Sequence, residues 1–201
     1  EIGIKTLLMD GKMRLNATWY SIEWTDIQVS QFDPVHVNFI TFIENAADAD
    51  VTGLEADMLY YPSDSLTISA AISLNDTEIV NDVAQTIPIV DIGNPLPLAP
   101  KRQGNVRIRK DLSSNQSYFQ AAVKYASSTY NSFEAAKVLD QPAYTIVDFA
   151  YGLTINDVDV EFFIRNANDE RANLYYNDQD DIPRITTNRP RNMGVRMSYR
   201  F

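Results

Sequence analysis

The chain of 201 residues carries a formal charge of −10 and is 45% hydrophobic with 11% aromatics, too apolar for a disordered segment. Its acidic balance argues against a nucleic-acid surface, and the absence of cysteine removes disulfides, thiol nucleophiles and thiolate metal sites. No apolar run approaches the roughly 18 residues of a transmembrane helix, which says nothing against a protein that crosses a membrane with strands.

In chain order, Ile2-Gly3-Ile4-Lys5-Thr6-Leu7-Leu8 reads as a strand ended by the turn Met9-Asp10-Gly11-Lys12. A strand near 13–27 runs into an irregular polar stretch over 29–50. Strands near 51–61 and 66–77 flank Pro62-Ser63-Asp64-Ser65, and a second long stretch covers 79–101. Strands near 104–112 and 117–129 flank Ser113-Ser114-Asn115-Gln116, with a third long stretch over 131–142. Strands near 143–155 and 158–166 flank Asn156-Asp157, and a stretch over 167–190 leads to a last strand near 192–201. Short turns and long loops therefore alternate, which sorts them to opposite ends of an antiparallel all-β sheet. Several strands reach the roughly 9–11 residues needed to cross a bilayer on a tilt. Such sorting describes a transmembrane barrel, with short periplasmic turns and long extracellular loops.

The strands have two unlike faces. Leu66, Ile68, Ala70, Ile72 and Leu74 alternate with Thr67, Ser69, Ala71, Ser73 and Asn75. Phe119, Ala121 and Val123 oppose Tyr118, Gln120 and Lys124; Val158, Val160, Phe162 and Ile164 oppose Asp159, Glu161, Phe163 and Arg165. A slip of one residue would turn Arg107, Arg109, Arg165 and Arg196 toward lipid, at roughly 2–4 kcal/mol each near the midplane. A soluble β-sandwich shares the alternation with its apolar face turned inward. Loop sorting and strand length favour the membrane arrangement. Tyr60, Tyr61, Tyr118, Tyr144 and Phe201, near strand ends, fit either an interfacial girdle or plain strand propensity.

The final segment, Met193-Gly194-Val195-Arg196-Met197-Ser198-Tyr199-Arg200-Phe201, is one amphipathic strand ending on an aromatic residue. In this it resembles outer-membrane barrel proteins, whose last strand and terminal Phe are read by the barrel-assembly machinery; the resemblance assigns that role to Tyr199 and Phe201. Over the whole chain, five segments in order resemble the barrel of TonB-dependent receptors. They are Leu15-Asn16-Ala17-Thr18-Trp19-Tyr20 through Trp24-Thr25-Asp26-Ile27-Gln28; Asn45-Ala46-Ala47 with Val51-Thr52-Gly53-Leu54-Glu55; Gly93-Asn94-Pro95-Leu96-Pro97-Leu98-Ala99-Pro100; Phe163-Ile164-Arg165-Asn166-Ala167-Asn168-Asp169, which departs mildly from the family's pattern; and Arg189-Pro190-Arg191-Asn192-Met193-Gly194.

The resemblance implies a barrel of about 22 strands, of which this chain is expected to supply the last nine or so. A plug domain and signal peptide are expected to lie outside it, since Glu1 opens directly onto a strand. It further implies TonB-energised import of a siderophore-iron complex, a vitamin or an oligosaccharide across the outer membrane of a Gram-negative bacterium. The implied partners are outer-membrane lipid, the barrel-assembly machinery, the TonB complex acting through the plug, and a small-molecule or glycan ligand. A passive porin-like or structural barrel is the alternative, and a soluble carbohydrate-binding β-domain a more distant one.

No nucleophile elbow, phosphate loop or His-Glu-x-x-His motif is present, so an enzyme is not expected, and neither a cofactor nor a metal is required. His36, the only histidine, reads as a solvated loop residue. Asp178, Asp180 and Asp181, with Asn177 and Gln179, offer oxygens for calcium but lack the EF-hand spacing, so a solvated loop is the simpler reading. Candidate ligand contacts are Tyr130, Asn131, Phe133, Tyr175, Tyr176 and Asn177, which could stack on a sugar or aromatic chelate or merely pack together. Glu55, Asp57, Arg107, Arg109, Arg165, Arg196 and Arg200 are expected to face the lumen.

Overall fold

A computed structural model describes residues 1–33, 40–84, 89, 91–112, 116–135, 138–177 and 184–199. The large antiparallel sheet contains nine strands, each hydrogen-bonded to the one before it. They are β1 (Ile2–Leu8), β2 (Met13–Asp33), β3 (Ile40–Ser63), β4 (Leu66–Asp82), β5 (Arg102–Leu112), β6 (Ser117–Ala126), β9 (Tyr144–Ile155), β10 (Val158–Arg165) and β13 (Asn192–Tyr199). Two small hairpins stand in the long connections, β7 (Thr129–Tyr130) with β8 (Asp140–Gln141), and β11 (Asn173–Asn177) with β12 (Arg184–Thr187).

The turns fall where the sequence places them, between β1 and β2, β3 and β4, β5 and β6, and β9 and β10. At the first, Met9, Asp10 and Gly11 adopt φ of 54°, 55° and 82°, and the Lys12 amide closes on the Met9 carbonyl at 3.1 Å. Glycine belongs at the third of these positions because only it takes positive φ without a steric penalty.

Register carries the two faces around the sheet. Leu8, Met13, Tyr60, Ile68, Ile108, Ala121, Phe149, Ile164 and Met193 pair in one unbroken apolar row over all nine strands. Leu8 lies beside a short turn, whereas Met193 lies beside a long connection. The row thus climbs from one end of the sheet to the other, the stagger that tilted barrel strands require. A polar row runs parallel to it: Lys5, Asn16, Asp57, Ala71, Asn105, Lys124 and Ile146.

The apolar face is unburied. Ile2 is 74% exposed, Met197 71% and Val195 51%, and the largest fully buried side chain among the described residues is Ile79. A sandwich would bury this face against a second sheet; here nothing among the described residues covers it, and large exposed apolar side chains recur along it from β1 to β13, unlike the small patches of a soluble monomer. Hydrocarbon is the medium that fits it.

Three joints lock the polar face. Gly53 lies under the Tyr20 ring, Gly152 under Tyr118 and Gly194 under Phe163, each aromatic paired in register with its glycine. Two of the rings reach one strand further. The Tyr20 hydroxyl donates to Asn75, itself the partner of Gly53, and the Tyr118 hydroxyl donates to Glu161 at 2.6 Å, the partner of Gly152. A side chain on any of these glycines would occupy the space of the ring.

The structure departs from the sequence reading in the long connections. Of the stretch 29–50, residues 29–33 and 40–50 are strand, and β4 continues to Asp82 rather than stopping near 77. Past Trp24 a bulge breaks the register, and both faces of the hairpin stand clear of the apolar band. The alternation that marks a strand in sequence is therefore lost while its ladder persists. The stretches 131–142 and 167–190 likewise hold β8 and the β11–β12 hairpin. Tyr61, Tyr118 and Tyr144 share the parity of the polar face, so of the four described residues of the suggested girdle Tyr60 alone stands on the apolar side. Arg200, Phe201, His36, Asp178, Gln179, Asp180 and Asp181 lie outside the described residues.

Candidate functional site

The polar face carries an open concavity of about 660 Å³, within the range of small-molecule sites. Its wall runs from Asn16 and Thr18 on β2 through Glu55 and Asp57, Ser73, Gln103 and Asn105, and Lys124 to Tyr144 on β9. Strand alternation brings these groups to one face because each occupies the parity opposite the lipid row. Asn16 Nδ2 donates to both carboxylate oxygens of Asp57 at 3.1 Å, and Arg14 stands 3.9 Å from the same carboxylate. Amides, hydroxyls and a few charges make this a surface for hydrogen bonding. Leu174 of β11 and Asn188 complete the lining, so the β11–β12 hairpin reaches over the concave side.

Nearer the short turns a second network spans β5 to β13. The Arg109 guanidinium lies 3.6 Å from the Tyr118 ring centroid and binds Asp111 at 2.9 Å; Glu161 accepts from Tyr118 and, at 2.9 Å, from Arg196. Arg165 stands 5.2 Å over the Phe163 ring. Glu55, Asp57, Arg107, Arg109, Arg165 and Arg196 all have the polar-face parity, and Asp57, Arg109 and Arg196 are held by neighbours on adjacent strands.

At the opposite end, three of the five segments that carry the sequence resemblance assemble into a collar. Asp26, with φ of 55°, forms the β2 bulge; its amide donates to Asp48 at 2.8 Å and its carboxylate accepts from Asn45 at 3.0 Å. Hydrogen bonds from Asn81 and the Asp26 amide hold the Asp48 carboxyl below the usual aspartate range. Ile27, Ala46, Ala47, Ala49, Ile79, Ile89 and Leu96 form its small core. Alanines suit the positions where backbone ladders close on Ile27. Gly93, with φ of 91°, turns the proline-rich segment so that its amide meets the Ile79 carbonyl at 2.9 Å and the Leu96 amide meets Thr77 Oγ1 at 2.9 Å.

Tyr130 and Phe133 pack against this core. The Tyr130 hydroxyl donates to the Pro95 carbonyl, and burial pushes its pKa up to about 12. Asn131 accepts from the Leu139 amide at 2.7 Å. Tyr175 is 44% exposed on β11, Tyr176 is half-buried, and Asn177 pairs with Arg184. The six candidate contacts thus form two groups, one built into the collar and one on the hairpin. Trp24 is an addition the sequence reading left inside a motif. It is 51% exposed, has the parity of Asn16, Thr18 and Tyr20, and stands where β2 rises above the cavity. The available signal was a tryptophan on the polar parity of its strand. Tyr199 pairs with Val158 and is 63% exposed on the apolar face.

The sequence profile of the family described as "TonB dependent receptor-like, beta-barrel" matches residues 1–167. The chain belongs to that family. Its fold is similar to the siderophore receptor PiuA from Acinetobacter baumannii, with a TM-score of 0.75 at 22% identity, covering 97% of this chain and 27% of that one. The ferric yersiniabactin uptake receptor FyuA from Yersinia pestis gives 0.76 at 18% identity, over 97% and 28%. The ferric preacinetobactin receptor BauA from Acinetobacter baumannii gives 0.66 at 18%, over 98% and 28%. This chain therefore spans little more than a quarter of the receptors it resembles. No match is found among curated protein sequences. Members of the TonB-dependent family are outer-membrane transport receptors of Gram-negative bacteria.

Proposed function

We propose that this chain is the C-terminal barrel portion of an outer-membrane receptor that imports a scarce ligand by coupling to TonB, with a ferric siderophore as the leading ligand class. The observation that carries the reading is the pairing of an unburied apolar face with a hydrogen-bonding concave face, strand by strand, in a family whose similar structures are siderophore receptors. The remainder of the receptor supplies the other strands, the plug and the TonB-contacting segment. The last strand is the element offered to the barrel-assembly machinery, and Tyr199 and Phe201 carry that signal.

Within the site, Trp24, Tyr175, Tyr176 and Asn177 are the groups proposed to touch ligand. Tyr130, Asn131 and Phe133 act through the shape of the collar. Deleting the full-length gene should abolish uptake of one radiolabelled ferric siderophore under iron limitation, and restoring it should recover transport only when TonB is present. Unchanged iron uptake, or a steady ion conductance of the purified receptor in planar bilayers, would replace this reading with another cargo or a passive pore.

A further inference from the structure

The β11–β12 hairpin reaches over the concave side, and its base is fastened from both legs. Asn166, only 4% exposed, donates through Nδ2 to the backbone carbonyls of Glu170 and Arg189, both at 2.9 Å, while its side-chain Oδ1 accepts from the Glu170 amide at 2.9 Å. Asn188 repeats the arrangement from the other leg. Its Nδ2 donates to the same two carbonyls at 3.1 Å, and its oxygen accepts from the Ala172 amide at 2.8 Å.

Asp169 adds a third tie, accepting from the Arg191 amide at 2.9 Å and facing Arg171 at 3.0 Å. The Asn166 amide is anchored in turn on Asp148 of β9 at 2.7 Å, which joins the clamp to the barrel wall. A hairpin that needed only to avoid the lumen would require no such base; satisfied buried polar networks fix one geometry.

We propose that Asn166 and Asn188 are positioning residues that hold the β11–β12 hairpin as a fixed roof over the polar cavity, with Leu174 as the part that narrows access from the long-loop side. The roof is then a permanent selectivity element of the passage rather than a surface loop. The claim concerns access and does not depend on which ligand is carried, so it can fail while the import reading stands.

The test uses the full-length receptor in nanodiscs, in a cysteine-free background, with Ser73→Cys as the reporter inside the cavity. A bulky sulfonated maleimide should label Ser73→Cys slowly when the clamp is intact. Asn188→Ala and Asn166→Ala should each speed labelling about tenfold, the change expected when ordinary hydrogen bonds are lost from a local opening equilibrium. Leu174→Gly should speed it comparably with the clamp intact.

Spin labels at Leu174→Cys and Ile146→Cys should give one narrow distance, broadened by Asn188→Ala and by Asn166→Ala. Retained heat-modifiable mobility on gels shows that the barrel has folded in every variant. Fast labelling with the clamp intact, labelling indifferent to both asparagine variants and to Leu174→Gly, or a broad distance before any clamp mutation, would overturn the proposal.

Discussion

At the scale of single residues, the polar face is held by a repeated joint in which an aromatic ring covers a glycine on the next strand. A Cβ at Gly53 or Gly152 would fall inside the Tyr20 or Tyr118 ring, whereas at Gly104 it would meet the Ala71 carbonyl oxygen at 2.7 Å. Gly152→Ala should therefore destabilise the folded barrel by about 1–3 kcal/mol, the usual cost of overpacking. Unfolding of the full-length receptor in urea-containing lipid suspensions measures it, and removal of the ring with Tyr118→Ala should make the alanine nearly silent.

Tyr130 gives a residue-scale prediction in pH. Burial raises its folded pKa from the ordinary tyrosine value of 10.0 to about 12, so burial favours the neutral phenol. That contribution is complete below pH 10 and is lost as pH rises from 10 toward 12. Ultraviolet difference titration should find one collar tyrosine ionising late, and Tyr130→Phe should remove that late phase.

At the scale of elements, the collar brings together three of the sequence segments that resemble the receptor family. Asp26 and Asn45 tie a bulge, Ala46 and Ala47 admit Ile27, and Gly93 with Leu96 lays a loop along β4. Leu96→Ala should cost the collar roughly 2–5 kcal/mol, in line with other buried leucines. The effect should be local: faster proteolysis within 83–101, with barrel unfolding unchanged. Simultaneous loss of the barrel would refute an independent collar.

The same elements show what was readable from sequence. The membrane-level strands were legible because lipid on one side and polar groups on the other impose strict alternation, as in Leu66 to Leu74. The upper parts of β2 and β3 were not, since there small alanines pack on Ile27 above the apolar band and the bulge after Trp24 breaks the alternation while leaving the ladder. The clamp was half legible. Asn166 and Asp169 drew notice as a motif, but their union with Asn188 across the hairpin is a matter of folding that no local pattern announces.

At the scale of the molecule, one claim organises the rest: the apolar row from Leu8 to Met193 faces lipid and the polar row faces the passage. The claim assigns every strand residue a side, and a one-residue slip would reverse them all. Val106→Arg, on the lipid side, should cost roughly 2–4 kcal/mol in folding into bilayers, and Asn105→Arg should cost little.

The most direct test is a spin-label scan of residues 104–110 and 193–199 in the full-length receptor in bilayers, recording collision rates with oxygen and with a water-soluble nickel chelate. Oxygen should peak at Val106, Ile108, Met193, Val195, Met197 and Tyr199, and nickel at Arg107, Arg109, Gly194, Arg196 and Ser198. Uniform accessibility along the strands, or the opposite parity, would contradict the account.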